Sequence, residues 1–278
     1  MFSLSLQAQD SDLYPDLFSS FIFNPSLINP GYVSDEGVLD LIGNYKQRTG
    51  PFSAIATYAF TATGYRRQDN GVVHTGRVFM FNEAEGPYIS RPRAYLNYAN
   101  RMPLAEDLFL SAGLALGFAG NTYSAPTVSG VGSSFVPDGH VGIMLSSSKF
   151  SGGVSAMQIF NTEASPLAGV LTYRRYFNLF FSAQHEFTPD WAVKGFLTYS
   201  HYRELDPASD VGFFLNYKDL ISFGSSYRYL RGSAIFFSVN IPQAENNILL
   251  SFAYNSPLFS SRPLWQNSLE ITLGYLFR

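Results

Sequence analysis

Along much of this chain, apolar and polar residues change places at every step. In residues 107–121 (DLFLSAGLALGFAGN), Leu108, Leu110, Ala112, Leu114, Leu116 and Phe118 fall on one face. Ser111, Gly113, Ala115, Gly117 and Ala119 fall on the other, with Phe109 as the bulky exception. A strand turns successive side chains to opposite sides, so this alternation predicts a strand with one apolar and one small or polar face. Residues 246–255 repeat it, with Ile248, Leu250, Phe252 and Tyr254 against Ser251, Ala253 and Asn255. Residues 219–229 set Ile221, Phe223, Tyr227 and Tyr229 against Ser222, Gly224, Ser226 and Arg228. Residues 191–200 set Trp191, Val193, Leu197 and Tyr199 against Lys194, Thr198 and Ser200. A helix needs a period of 3.6, and interior Gly and Ser disfavour it further.

Extended over the whole chain, this pattern predicts about fourteen strands, each near the ~9–11 residues that cross a bilayer at a tilt. The spans are 37–46, 52–63, 71–81, 88–101, 107–121, 137–147, 149–160, 169–186, 191–202, 207–217, 219–229, 233–241, 246–255 and 268–278. In the last span Leu269, Ile271, Leu273, Tyr275 and Phe277 share a face opposite Ser268, Glu270, Thr272 and Gly274. An unpaired apolar edge would template aggregation. A barrel in lipid removes the edge by pairing its last strand with its first, so these five apolar residues are the candidates for barrel closure. The fold predicted is all-β: a transmembrane antiparallel outer-membrane β-barrel over 37–278, with periplasmic termini and outer-membrane lipid around its apolar face.

The connections support the count. An even-stranded barrel alternates longer outer loops with short inner turns. The two longest predicted connections, 122–136 and 256–267, fall on the outer side. The tight turns around Ser148, 188–190, Lys218 and 242–243 fall on the inner side.

Composition separates this reading from a soluble β-sandwich. Aromatic residues make up 17% of the 278 residues, with 26 Phe and 18 Tyr, while charged residues are only 14%. Soluble domains carry roughly 25% charged residues. No stretch approaches the roughly 18 uninterrupted apolar residues of a membrane helix. A net charge of −3 gives no reason to expect nucleic acid. The absence of cysteine rules out disulfides, thiolate metal sites and thiol catalysis.

Residues 1–8 read as the remnant of a signal peptide, with the small Ala8 before Gln9 and no basic start. Residues 9–36 are expected as a periplasmic, turn-rich N-terminal segment. It carries two Asn-Pro pairs, Asn24-Pro25 and Asn29-Pro30. The residue before proline is pushed out of helical geometry, so both pairs favour turns. Phe21, Phe23, Leu27, Ile28 and Tyr32 are too apolar for a free tail. The segment should therefore be ordered and packed on the periplasmic mouth or on a partner. Its candidate partner-binding residues are Phe23, Asn24, Pro25, Asn29, Pro30 and Tyr32.

Little suggests catalysis. His74, His140, His185 and His201 match no metal-binding spacing, and no nucleophile elbow or phosphate-cradling glycine loop occurs. His201 and Glu204 form a pair of the kind found solvated at strand ends. No enzyme activity, cofactor or metal is expected. Arg91 and Arg93 share a strand face with Tyr95 and Asn97, and Arg174 is placed with Thr172, Tyr176 and Asn178. Charges on a spanning strand are tolerated toward the lumen and costly toward lipid, so they orient these strands.

The Phe23-Asn24-Pro25 to Asn29-Pro30-Gly31-Tyr32 block, following Gln9-Asp10, resembles the opening of the PorP/SprF family of Bacteroidetes outer-membrane proteins. Further similarities follow in order: Tyr98-Ala99-Asn100-Arg101, 110–114, Pro137-Asp138-Gly139, Val141-Gly142, Gly153-Val154-Ser155, 223–228, Phe252-Ala253-Tyr254 and 270–275. The chain departs from the family pattern at 45–52 and at Gly31. The resemblance implies a non-enzymatic role in the type IX secretion and gliding machinery of a Gram-negative outer membrane. It implies as partners a secreted adhesin or other substrate with a C-terminal sorting domain, and periplasmic components of the machinery. The residues alone leave a second function open, a passive porin or small-solute channel.

Overall fold

In a computed structural model, the described residues are 11–12, 14–15, 18–34, 37–125, 130–166, 170–203, 205–244, 246–258 and 267–278. The signal-peptide remnant and Glu204 lie outside them. Fourteen antiparallel strands form a closed barrel. They are β1 Leu39–Arg48, β2 Ile55–Arg67, β3 Val73–Glu85, β4 Ile89–Ala105, β5 Leu108–Ala125, β6 Gly130–Ser146 and β7 Phe150–Met157. The second half is β8 Tyr176–Thr188, β9 Trp191–His201, β10 Ala208–Tyr217, β11 Ile221–Arg228, β12 Gly232–Gln243, β13 Asn246–Ser256 and β14 Ser268–Phe277. Each strand pairs with its sequence neighbours, and β14 closes on β1 with Phe277 opposite Leu39 and Ile271 opposite Tyr45. Closure leaves no strand edge for lipid to meet.

The faces fall as the alternation predicts. Leu269, Ile271 and Leu273 are exposed, while Ser268, Glu270 and Thr272 are buried inside. The last two closure candidates, Tyr275 and Phe277, are half-buried. Leu114 is 43% exposed beside Ala115 at 4%. Arg93, Tyr95 and Asn97 are buried toward the lumen.

The connections at the Leu39 and Phe277 end are 68–72, 106–107, 147–149, 189–190, 218–220 and 244–245. All are short, which marks this end as periplasmic. At the other end stand 49–54, 86–88, 126–129, 158–175, 202–207, 229–231 and 257–267.

Four spans differ most from expectation. β5 and β6 extend to Ala125 and Gly130, so most of the expected 122–136 loop is ladder. The span 149–160 ends at Met157, and 169–186 begins only at Tyr176. The longest outer connection is therefore 158–175. Within it Leu171–Thr172 pairs with Glu163–Ala164 in a small sheet separate from the barrel ladder, with Ala164 buried in a cluster with Ala119 and Val136 of the inner face. Tyr173 then turns into the mouth, where its hydroxyl donates to the Gly120 carbonyl at 2.8 Å and accepts from Asn121 at 3.0 Å. Burial pushes this phenol up to about 12, so it remains a neutral donor. Arg174 precedes β8 rather than sharing its face.

The assigned faces are tested by paired substitutions. Arginine on the lipid face near midplane costs roughly 2–4 kcal/mol, and an inward serine costs little. Leu114→Arg should sharply reduce the folded, heat-modifiable form on gels, and Ala115→Ser should not. Equal folding of the two would reverse the assignment.

Candidate functional site

The N-terminal segment is not a periplasmic element outside the wall. Residues 18–34 lie inside the barrel, with Phe18, Phe21, Ile22, Leu27 and Ile28 buried. The chain enters at the outer mouth, where Ser11–Asp12 pairs in parallel with Leu171–Thr172. Tyr14 packs against Tyr202 and Tyr176 at ring distances of 4.7 and 5.8 Å. The chain leaves at the periplasmic end, where the Val38 N–H donates to the Phe277 carbonyl at 2.9 Å. There Asp40 holds Arg278 at 3.1 Å and accepts from the Tyr65 hydroxyl at 2.7 Å.

The Asn-Pro pairs shape the segment. A short 3-10 turn, Ser19–Phe23, stops at Asn24, whose φ of −144° and ψ of 72° suit the residue before a proline. Pro25 then opens a second turn, Pro25–Leu27, where its missing N–H costs nothing. At the second pair, Asn29 Oδ1 accepts from the Gly31 N–H at 2.8 Å, a side-chain turn that reverses the chain.

Backbone groups in a lumen need partners. The barrel wall supplies them from strands all around the bore. Glu270 on β14 accepts from the Ser19 and Ser20 N–H groups at 3.0 Å each and from the Ser20 hydroxyl at 2.9 Å. Asn255 donates to the same carboxylate at 2.9 Å, and Lys46 stands 3.9 Å away. Arg228 reaches the Ser19 hydroxyl while its Nε holds Asp210 at 3.1 Å. The Ile28 carbonyl accepts from Ser155 at 2.6 Å and Asn178 at 3.1 Å. The Pro30 carbonyl accepts from Asn97 at 3.1 Å, and that of Tyr32 from Arg77 at 2.8 Å.

The Asn side chains themselves bond to the wall. Asn24 donates to Asn44 and Thr61, both at 3.2 Å. Asn29 donates to the Ile143 and Val154 carbonyls, both at 3.2 Å. Close approach there depends on glycine. A Cβ built at Gly142 collides with the Asn29 side chain, one at Gly113 with the Pro30 carbonyl, and one at Gly153 with the Ile143 carbonyl.

Apolar packing completes the plug. Phe21 meets Phe196 and Phe180 edge-to-face at 5.6 and 6.2 Å, and Phe23 meets Phe214 at 5.3 Å. Such pairs add about 0.5–1.5 kcal/mol each beyond area burial. A cavity of about 30 Å³ remains between Phe21, Ile28, Asp210 and Arg228. That is room for one or two waters and not for a continuous channel at this point.

The six predicted residues thus come together in one element, but they face the barrel's own wall. Phe23 and Tyr32, the aromatic pair among the candidate partner-binding residues, are half-buried, and Phe21 and Ile28 are the deeper ones. The wall partners Glu270, Arg228, Asn178 and the three glycines were not singled out as a site. Their signal was present, because a lone carboxylate on the inner face of a spanning strand needs a partner. No group of His, Asp or Glu able to hold a metal ion occurs among the described residues.

The sequence matches the family model described as type IX secretion system membrane protein PorP/SprF over residues 10–275. The chain belongs to the PorP/SprF family. That match and the barrel fold place it in the outer membrane. No curated protein matches its sequence. In structure this PorP/SprF chain is similar to the Pseudomonas putida toluene transporter TodX, with TM-score 0.56, 10% identity and coverage of 98% of this chain and 96% of that one. It is also similar to a Pseudomonas aeruginosa FadL homologue, at TM-score 0.58, 9% identity, and 90% and 92% coverage. The Ralstonia pickettii toluene transporter TbuX gives TM-score 0.57, 9% identity, and 97% and 95% coverage. At such identities these likenesses show the barrel fold alone.

Glu270 carries a direct test of the plug. Breaking a buried pair by removing one partner costs about 3–5 kcal/mol, because the other charge stays buried. Glu270→Ala takes the acceptor from the Ser19 and Ser20 N–H groups and removes the carboxylate beside Lys46, whereas Glu270→Gln keeps an acceptor for the two amides. Thermal unfolding in detergent should fall well below wild type for alanine and less for glutamine. Wild-type melting of Glu270→Ala would contradict the assigned anchorage.

Proposed function

We propose that this PorP/SprF protein serves type IX secretion as a non-enzymatic barrel that retains or helps export adhesin-like proteins at its surfaces rather than through its bore. The observation that carries this reading is the plug. Residues 18–34 occupy the lumen with buried aromatic side chains and bonds around the wall. A folded substrate has no path through such a barrel, and a passive porin is disfavoured for the same reason. The outer mouth offers a surface for a secreted partner with a C-terminal sorting domain. Leu205 and Leu258 stand exposed there, on two of the longer loops. The periplasmic turns, rich in charge (Asp69, Glu106, Asp107, Lys149, Asp190, Lys218), suit contact with the machinery beneath.

The test is surface adhesin measured by protease shaving. Cells lacking the protein should lose display, and the wild-type chain should restore it. Leu205→Ser with Leu258→Ser should fold normally yet lower display by roughly tenfold or more, the scale of losing interface anchors. Unchanged display in cells lacking the protein would contradict a role in adhesin retention. Loss there with full display in the double variant would move the contact away from these two loops.

A further inference from the structure

We propose that residues 18–34 are the template on which the barrel closes, so that seating the segment and pairing β14 with β1 are one event. The seam itself points to this. Glu270 and Thr272 of β14 lie directly opposite Lys46 and Asn44 of β1. All four are buried on the inner face. Asn44 donates to Thr272 across the seam at 2.8 Å. Three of these residues also bond into the segment: Glu270 to Ser19 and Ser20, Asn44 to Asn24, and Thr272 to Ser20 at 3.4 Å. The inner side of the closing seam is stitched through the plug.

The rest of the wall is shaped to the same object. Gly113, Gly142 and Gly153, on three adjacent strands, admit Asn29 and Pro30 where any side chain would collide. Phe180, Phe196, Phe214 and Phe236 turn inward on β8, β9, β10 and β12, and their apolar cluster is completed by Phe21, Ile22 and Ile28. Without the segment those faces would line a wet bore. The lumen is built as a core and not as a channel wall.

Chain order makes the sequence of events concrete. The segment precedes β1 directly, and its bonds to Asn44 and Thr61 span only 20 and 37 residues. Its bonds to Glu270 span 251 and 250. Short loops close at lower entropic cost than long ones, so the segment seats on β1 and β2 early. The wall then wraps around it, and Glu270 arrives last, on the strand that closes the barrel.

The chain has no cysteine, so a disulfide reports closure cleanly. Tyr45→Cys and Ile271→Cys face each other across the seam. Their cross-linking is followed during refolding into lipid vesicles. The full chain should cross-link in good yield, and the chain lacking 18–34 should not. Gly142→Ala, on the far wall, should slow cross-linking on the order of tenfold, the scale of overpacking one methyl. Adding Asn29→Gly, which removes the closest clash and leaves only the milder approach of Pro30 Cδ, should speed the Gly142→Ala chain again in part. Three results would overturn the proposal: full cross-linking without 18–34, no slowing by Gly142→Ala, or slowing that Asn29→Gly leaves in place.

Discussion

Backbone N–H and carbonyl groups in the wall and the filled bore must find partners in surroundings that hold little water, and the architecture follows from that. On the lipid side the requirement is met by closing the sheet, because a bilayer offers no hydrogen bonds to a free edge. Inside, the requirement returns in another form. A segment with only two short 3-10 turns fills the bore, and carbonyls and amides that those turns leave over are met by Glu270, Ser155, Asn178, Asn97 and Arg77. The polar inner face of the barrel is therefore a set of matched partners rather than a water-filled lining.

That matching explains the mixture on the inner face. One sector carries amides, hydroxyls and paired charges, set against the segment's backbone. Another carries four phenylalanines, set against Phe21, Phe23 and Ile28. A third carries glycine, where Asn29 and Pro30 press closest. A porin needs a bore whose lining is satisfied by water. This wall is satisfied by a particular stretch of its own chain.

The barrel was legible because lipid enforces a period of two. Residues 107–121 and 268–278 show it cleanly, and their faces fall where the alternation puts them. It fails where both faces are apolar. At Phe180-Phe181 and Phe213-Phe214 one ring faces lipid and the next faces the plug, so period alone does not tell them apart. It fails also at 170–175, where apolar residues serve a small sheet and the mouth rather than a spanning strand. The Asn-Pro segment was legible as ordered and turn-rich, because proline acts locally. Its place in the bore was not, because that depends on bonds to residues as distant as Glu270. The inner glycines read as small lumenal positions, and only the structure shows what they make room for.

Membership of the PorP/SprF family, the closed barrel and the filled bore converge on a protein whose work is done at its two mouths. The most direct measurement is the conductance of the purified protein in a planar bilayer. A barrel plugged by residues 18–34 should give no sustained porin-like steps at moderate voltage. Stable, wide-open conductance from the intact folded chain would contradict the account, because it would show that the segment does not fill the lumen in the membrane.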